Sequence, residues 1–234
     1  MHTVVLETRG NAVILCLMQK TTEQTAEWTE IWERQGLLDS IIDAGRSVYN
    51  AFFRPILRRY LTIDSSILEM GCGRASLTLS LAPEVRKLVG IDISPIAVQQ
   101  AAEYAAKHHI TNAEFSIDDC TKLSLQEKFD FVWSQGLLEH FDDPLIVAQE
   151  HYRALAPGGT ALLSVPYRYS YHHVWYLLTR PKLLRRFWPW TEQLFFNKRM
   201  LLAVGKAVTP HARVYLLQPF PLGLVFLELT KPQE

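Results

Sequence analysis

The chain has 234 residues, with 24 basic and 24 acidic side chains and a formal net charge of zero. That length suits about one large domain whose core needs no disulfides. The even charge argues against nucleic acid as a partner, because phosphate contacts need a basic face. Cys16, Cys72 and Cys120 lie far apart, with no disulfide framework and no zinc spacing. A reducing, cytoplasmic location is therefore the expectation.

Residues 12–18 (AVILCLM) form an apolar run of seven. It is too short to span a membrane, and it lacks the basic flank and A-x-A site of a signal peptide. Residues 1–21 are read as an N-terminal extension: disordered, an extra strand, or preceding the true start. Residues 22–34 read as a helix with Trp28, Ile31 and Trp32 on one face. A second helical stretch spans 44–61, bent or begun at Pro55. Together, 22–62 form an expected helical lid that includes Arg46 and Tyr49. One domain is expected from 63 to 234. Its strand-like runs fall at 66–70, 88–93, 113–117, 129–133 and 160–165, with helices at 75–81, 95–108 and 144–155. Ser94 and Pro95 make a cap and first-turn pair. Pro157-Gly158-Gly159 is expected to stop a helix and turn into the next strand. Residues 191–208 read as a helix, and 211–217 and 222–230 as two strands. Alternation of this kind implies an α/β, doubly wound, mostly parallel sheet with helices on both faces. The final hairpin adds an antiparallel strand near one edge.

The chemistry-bearing stretch is Ile67-Leu68-Glu69-Met70-Gly71-Cys72-Gly73-Arg74-Ala75, a strand breaking into a glycine turn. Asp92 follows Gly71 by 21 residues and closes the second strand. A strand, a Gly-x-Gly turn and an acid about 20 residues on are how an α/β sheet holds an adenosine-bearing ligand. The dinucleotide fingerprint needs Gly or Ala at its sixth position, where this chain has Ser76. The pattern that fits is E-x-G-x-G-x-(G/A), filled by Glu69, Gly71, Gly73 and Ala75. Further on come Phe115-Ser116-Ile117-Asp118-Asp119-Cys120, then Phe129-Asp130-Phe131-Val132-Trp133-Ser134-Gln135-Gly136-Leu137-Leu138-Glu139-His140. Leu155-Ala156-Pro157-Gly158-Gly159 completes the order.

From about 66 to 165 these ordered motifs resemble the class I S-adenosylmethionine (SAM)-dependent methyltransferases of small-molecule type. The resemblance implies a Rossmann-like, seven-stranded fold and SAM as cofactor, with S-adenosylhomocysteine (SAH) as product. It implies that Gly71 and Gly73 pack against the methionine part and that Glu69 holds the loop or, through water, the ligand's amino group. Asp92 would bind the ribose, and Ile93 would lie on the adenine. Asp119 matches the acid that accepts from the adenine amino group. Asp118 stands where the family carries glycine, which leaves open which acid is used. Cys120 matches a small spacer, and Ser134 and Gln135 would lie beneath the sulfonium. His140 reads either as a general base, since imidazole titrates near neutrality, or as a locally packed turn residue.

Absences narrow the acceptor. The fourth strand does not end in N/D-P-P-Y, no Pro-Cys pair suggests base methylation, and no second glutamate accompanies Glu139. Small-molecule or lipid-like acceptors remain, and nucleic acid is not expected. The insertion at 166–200 is rich in aromatics and holds seven Lys or Arg against one acid, Glu192. It reads as an acceptor pocket or lid for an apolar, anionic or quinone-like molecule, with Tyr167 best placed to face it. Within it, 183–190 reads as touching a membrane surface or as an amphipathic cover on the core. Two other functions stay open: a non-catalytic SAM-binding scaffold and a nicotinamide-dependent oxidoreductase. Oligomeric state has no sequence signal.

Overall fold

The computed structural model describes residues 25–26, 28–29, 32, 50–179, 193–217 and 223–233, with 171, 172, 175 and 179 by backbone alone. The expected extension 1–21, Arg46, Tyr49 and the run 183–190 lie outside the described residues. Residues 25, 26, 28, 29 and 32 are helical, as are 50–57.

Seven strands form one sheet: β1 (Ser66–Met70), β2 (Lys87–Asp92), β3 (Ala113–Ile117), β4 (Phe129–Gln135), β5 (Leu155–Pro166), β6 (Arg213–Leu217) and β7 (Leu224–Thr230). Their order is β3-β2-β1-β4-β5-β7-β6. The first five are parallel, β7 runs against β5, and β6 runs against β7, so only β7 opposes the rest. Besides those N-terminal helical residues, the helices with both ends described are α1 (Ser76–Leu79), α2 (Pro95–Lys107), α3 (Pro144–Arg153), α4 (Tyr171–Thr179) and α5 (Lys198–Val208).

The alternation of each strand sorts its side chains into two cores. Leu68, Met70, Val89, Ile91, Val132, Leu163 and Val165 pack on one face with Val147 of α3 and Leu201 of α5. Ile67, Leu88, Phe131, Trp133 and Leu162 pack on the other with Phe53, Leu57 and Leu77. Both faces are covered, which is why β1 is buried at every position. Strand order reverses between β1 and β4, and a crevice opens there at the carboxyl ends of the strands.

Three of the boundaries that differ from the sequence pattern have a visible cause. The turn Pro157-Gly158-Gly159 does not stop a helix: α3 ends at Arg153, and Leu155 already pairs with Phe129. The glycines instead sit in β5, where the register against β4 shifts between Phe129 and Phe131. Gly159 donates no side chain because none fits. A Cβ there would meet the carbonyl oxygens of Ala156, Phe129 and Asp130 at 2.9, 3.0 and 3.1 Å. Gly159→Ala is therefore expected to destabilise the fold by about 1–3 kcal/mol, read by thermal or denaturant unfolding; an unchanged midpoint would contradict this packing.

The helix expected at 191–208 begins only at Lys198. Asn197 caps it, its Oδ1 accepting from the Met200 amide at 2.9 Å. Ahead of the cap, buried Phe196 bridges Tyr167, and its carbonyl accepts from the Arg168 amide at 2.8 Å. That extended pairing excludes a helix at those residues. The expected strand at 211–217 starts at Arg213, because Thr209 first takes the His211 amide in a turn.

Candidate active site

A cavity of about 480 Å³ lies at the carboxyl ends of β1, β2 and β4. The glycine turn forms its floor. Gly71 and Gly73 stand at φ +67° and +51°, values that favour residues without a Cβ. A Cβ on Gly73 would stand 2.6 Å from the Trp32 ring, so the glycine also lets the N-terminal segment close over the loop. The Cys72 amide carries the ladder one residue past β1 by donating to Ile91 O at 2.9 Å.

Asp92 locks this turn to the end of β2. Its Oδ2 accepts from the Gly73 amide at 2.8 Å and its Oδ1 from the Ser94 amide at 2.9 Å. Burial raises its pKa, while those amides oppose the rise. Glu69 is buried on the same lip and is pushed up to about 8, mainly by burial, with the Asp92 charge adding to it. The Trp133 indole donates to the Thr78 hydroxyl at 3.1 Å, leaving that hydroxyl's proton for Glu69. Glu69 Oε2 has no hydrogen-bond partner among the described residues.

The two acids after β3 differ in what they hold. Asp118 accepts from the amide and hydroxyl of Ser124, so its carboxylate braces its own loop. Asp119 uses Oδ1 for the amide and hydroxyl of Thr121, at 2.8 and 2.7 Å. Both line the cavity, as do Ile93 and Cys120. Burial raises the thiols of Cys72 and Cys120 above their ordinary value, which makes them poor nucleophiles. No metal-ligating cluster occurs among the described residues.

Gln135, Gly136, Leu137, Glu139, His140 and Phe141 form the β4 side of the wall. The His140 ring meets Trp28 edge-on at 5.0 Å, so the imidazole both lines the cavity and packs locally. Ser134 is not on the lining. It is buried beneath it, in a hydrogen bond with His151 Nε2 at 3.0 Å. His151 Nδ1 donates to Val147 O at 2.8 Å, so Nε2 is the acceptor and Ser134 donates. Burial holds His151 down to about 4 and keeps it neutral. Tyr167 is also off the lining. Its amide donates to Gly223 O at 2.9 Å and its ring packs against Tyr169, whereas its neighbour Pro166 reaches the cavity.

Trp28 and Trp32, read in the sequence as lid residues, line the cavity. Lining groups to which the motifs assign no role include Arg74, Ser164 and Glu139. Arg74 donates to Gln100 at 2.8 Å and lies 5.7 Å over Trp32. Glu139 is 3% exposed and pushed up to about 8 by burial. The one signal in the sequence is an acid set inside the apolar run Leu137-Leu138-Glu139-His140-Phe141.

Residues 62–185 match the family described as "Methyltransferase domain", more than half of the chain. A 2-methyl-6-phytyl-1,4-hydroquinone methyltransferase of Synechocystis is 32% identical over 102 residues, 43% of this chain and 31% of that protein. A ubiquinone biosynthesis O-methyltransferase of Psychrobacter cryohalolentis is 23% identical over 161 residues, 63% of this chain and 62% of that protein. The chain thus spans less than two thirds of the length of these curated relatives. Among solved structures, a SAM-dependent methyltransferase of Methanosarcina mazei superposes with a TM-score of 0.58 at 25% identity, covering 77% of this chain and 98% of that one. Magnesium protoporphyrin IX methyltransferase of Synechocystis, with SAH bound, gives 0.64 at 16% identity, covering 90% and 95%, a likeness of fold. By sequence match and by fold, the chain belongs to the methyltransferase-domain family.

Proposed function

We propose that this chain transfers a methyl group from SAM to a hydroxylated, largely apolar small molecule, leaving SAH. The charge of the cavity carries this reading. Among the described residues, Asp92, Asp118 and Asp119 line it against a single arginine, Arg74, while burial keeps Glu69 and Glu139 largely protonated until a cation enters. Such a wall repels a dinucleotide's pyrophosphate and suits SAM, which carries a sulfonium and an ammonium and no phosphate. The unpartnered Glu69 Oε2 also wants a donor or a cation.

The residues present fit SAM. Asp92 keeps lone pairs for ribose hydroxyls beyond the two amides it holds. Asp119 is the better adenine acceptor, because Asp118 is committed to Ser124. Ile93 and Cys120 wall the ring, and Gln135 closes the β4 side. Bound SAM supplies an activated methyl on a good leaving group. The chain's contribution is to hold the acceptor in line with the methyl group inside the cavity, an alignment worth roughly 7–11 kcal/mol. His140 also lines the site, where its imidazole can relay a released proton to water.

The acceptor class rests on the apolar part of the wall (Leu137, Phe141, Pro166 and Leu224) and on relatives named for a hydroquinone and for ubiquinone biosynthesis. An acceptor with a long apolar tail would be drawn from a bilayer. Helix α4 leaves Val174, Leu177 and Leu178 exposed at helical spacing, beyond exposed Tyr169. The basic and aromatic run 183–190 follows in the sequence. Contact with an anionic membrane surface is proposed on that basis. No helix among the described residues is long and apolar enough to cross a membrane.

Incubation with SAM and methylhydroquinone or a catechol should yield SAH and methylated product in equal amounts by mass spectrometry. SAM binding with no transfer to any hydroxylated acceptor would support the scaffold reading instead. Deleting 167–190 is expected to spare SAM binding and remove turnover; retained turnover would reject that segment as the acceptor pocket.

A further inference from the structure

Glu139 sits on a short 3-10 turn, Leu138–His140, directly after β4. Leu138 anchors the turn in the core, and the Glu139 carbonyl accepts from the Leu194 amide at 2.7 Å. The backbone is therefore pinned from two sides. The carboxyl folds over Gly136, which stands at φ +63°. A Cβ on Gly136 would lie 3.3 Å from Glu139 Oε1, so the bare glycine leaves the carboxyl its room.

Oε2 of this buried side chain has no hydrogen-bond partner among the described residues, and the residue lines the cavity. An unpartnered carboxyl oxygen in a buried wall is costly unless a ligand or water completes it. Glu69 is the other buried carboxyl with an unpartnered oxygen among the described residues, but it belongs to the glycine-turn lip beside Thr78 and Asp92. Glu139 instead lies beside Leu137 and Phe141 on the β4 side, with Pro166 and Leu224 completing the apolar wall.

We propose that Glu139 contacts the methyl acceptor: with SAM bound, Oε2 of its carboxylate accepts a hydrogen bond from the acceptor hydroxyl and takes that proton as the oxygen is methylated. The O–H bond breaks toward Oε2, and the oxygen keeps the electron pair with which it binds the methyl carbon. The proton then leaves the carboxyl for water at the cavity mouth. This assignment rests on the hydroxylated-acceptor reading above. Burial, opposed by its own backbone amide, raises the acid to about 8. A base with that value is matched to chemistry at neutral to mildly alkaline pH. Among the described residues, the titratable groups on the surrounding wall are His140 beside it, Glu69, Asp92, Asp118 and Asp119 across the cavity, the thiols of Cys72 and Cys120, and Arg74.

The test compares the full-length wild type with Glu139→Gln and Glu139→Asp. SAH titration calorimetry reports cofactor binding and folding, and turnover on methylhydroquinone is followed against pH. SAH affinity should stay within about threefold in Glu139→Gln. Its kcat/KM should fall by about 10²-fold or more, losing the inflection near pH 8, with Glu139→Asp partly restoring both. Wild-type kcat/KM in Glu139→Gln would overturn the assignment. So would a loss of SAH affinity of about tenfold or more, which would put Glu139 on the cofactor. Absence of wild-type turnover on every hydroxylated acceptor, with SAH still bound, would overturn the acceptor class and this assignment together. Failure of Glu139 alone is seen only when the wild type turns over.

Discussion

Asp92→Ala is expected to weaken SAH binding by about 10²–10⁴-fold. The side chain ties two elements together, accepting from the Gly73 and Ser94 amides. Its loss orphans both donors beneath the ligand, and charge-assisted hydrogen bonds of this kind are worth about 1.5–3 kcal/mol each. Ligand contacts to the ribose disappear in the same change. The glycine turn, held at positive φ, then lacks the anchor that fixes it against β2. Asp92→Asn should fall between the two, because an amide offers one accepting oxygen and sets its NH2 against the second backbone donor. Calorimetry with SAH reads the affinity, and circular dichroism confirms that the variant is folded. Wild-type affinity in folded Asp92→Ala would mean that the ribose is held elsewhere.

The ligand-free protein is expected to lose stability as pH rises from about 5 to about 8. Burial lifts Glu69 and Glu139 from 4.5 to about 8. Between those values the folded protein keeps both protons and the unfolded chain has released them. Each glutamate's contribution is whole below pH 4.5 and is lost as pH climbs through 8. His151 works the other way: burial lowers it from 6.5 to about 4, so its contribution is whole above pH 6.5 and lost as pH falls through 4. Above pH 6.5 the glutamates act without opposition from His151, each at roughly 1.4 kcal/mol per pH unit. Glu69→Gln should halve that slope and raise the melting temperature at pH 8 while changing little at pH 5. A melting temperature independent of pH between 6.5 and 8, or an unchanged slope in Glu69→Gln, would contradict the buried, protonated state. SAM should reduce the slope as well, because a cation in the cavity favours the ionised carboxyls.

Much of this architecture is legible in the chain because local signals agree with tertiary ones. β1 and β3 fall where the apolar runs and flanking turn residues put them. Ser94-Pro95 and Asp143-Pro144 open helices by side-chain capping and a proline in the first turn. The sequence reading failed where a distant partner outweighs local preference. Leu155 reads as the last turn of a helix, yet it pairs with Phe129 and starts β5 five residues early. Phe196 reads as helical, yet it is drawn into a bridge with Tyr167. The site divides in the same way. Glu69, Gly71, Gly73, Asp92 and Asp119 stand at motif spacings. Pro166 and Leu224 reach the cavity only because the register of β5 on β7 pairs them. Ser134 could not be separated from Gln135 by spacing alone, since alternation turns one into the layer beneath and the other to the lining. Glu139 carries no spacing signal; its meaning comes from burial and an unpartnered oxygen.

Every assignment above depends on SAM binding in the cavity between the glycine turn and Asp92. Titration calorimetry of the full chain with SAM, SAH and NADH tests it most directly. SAM and SAH should bind near one per chain, about 10²–10⁴-fold more weakly in Asp92→Ala, with no heat from NADH. No heat with SAM or SAH from folded wild-type protein, or saturable NADH binding in their place, would contradict it.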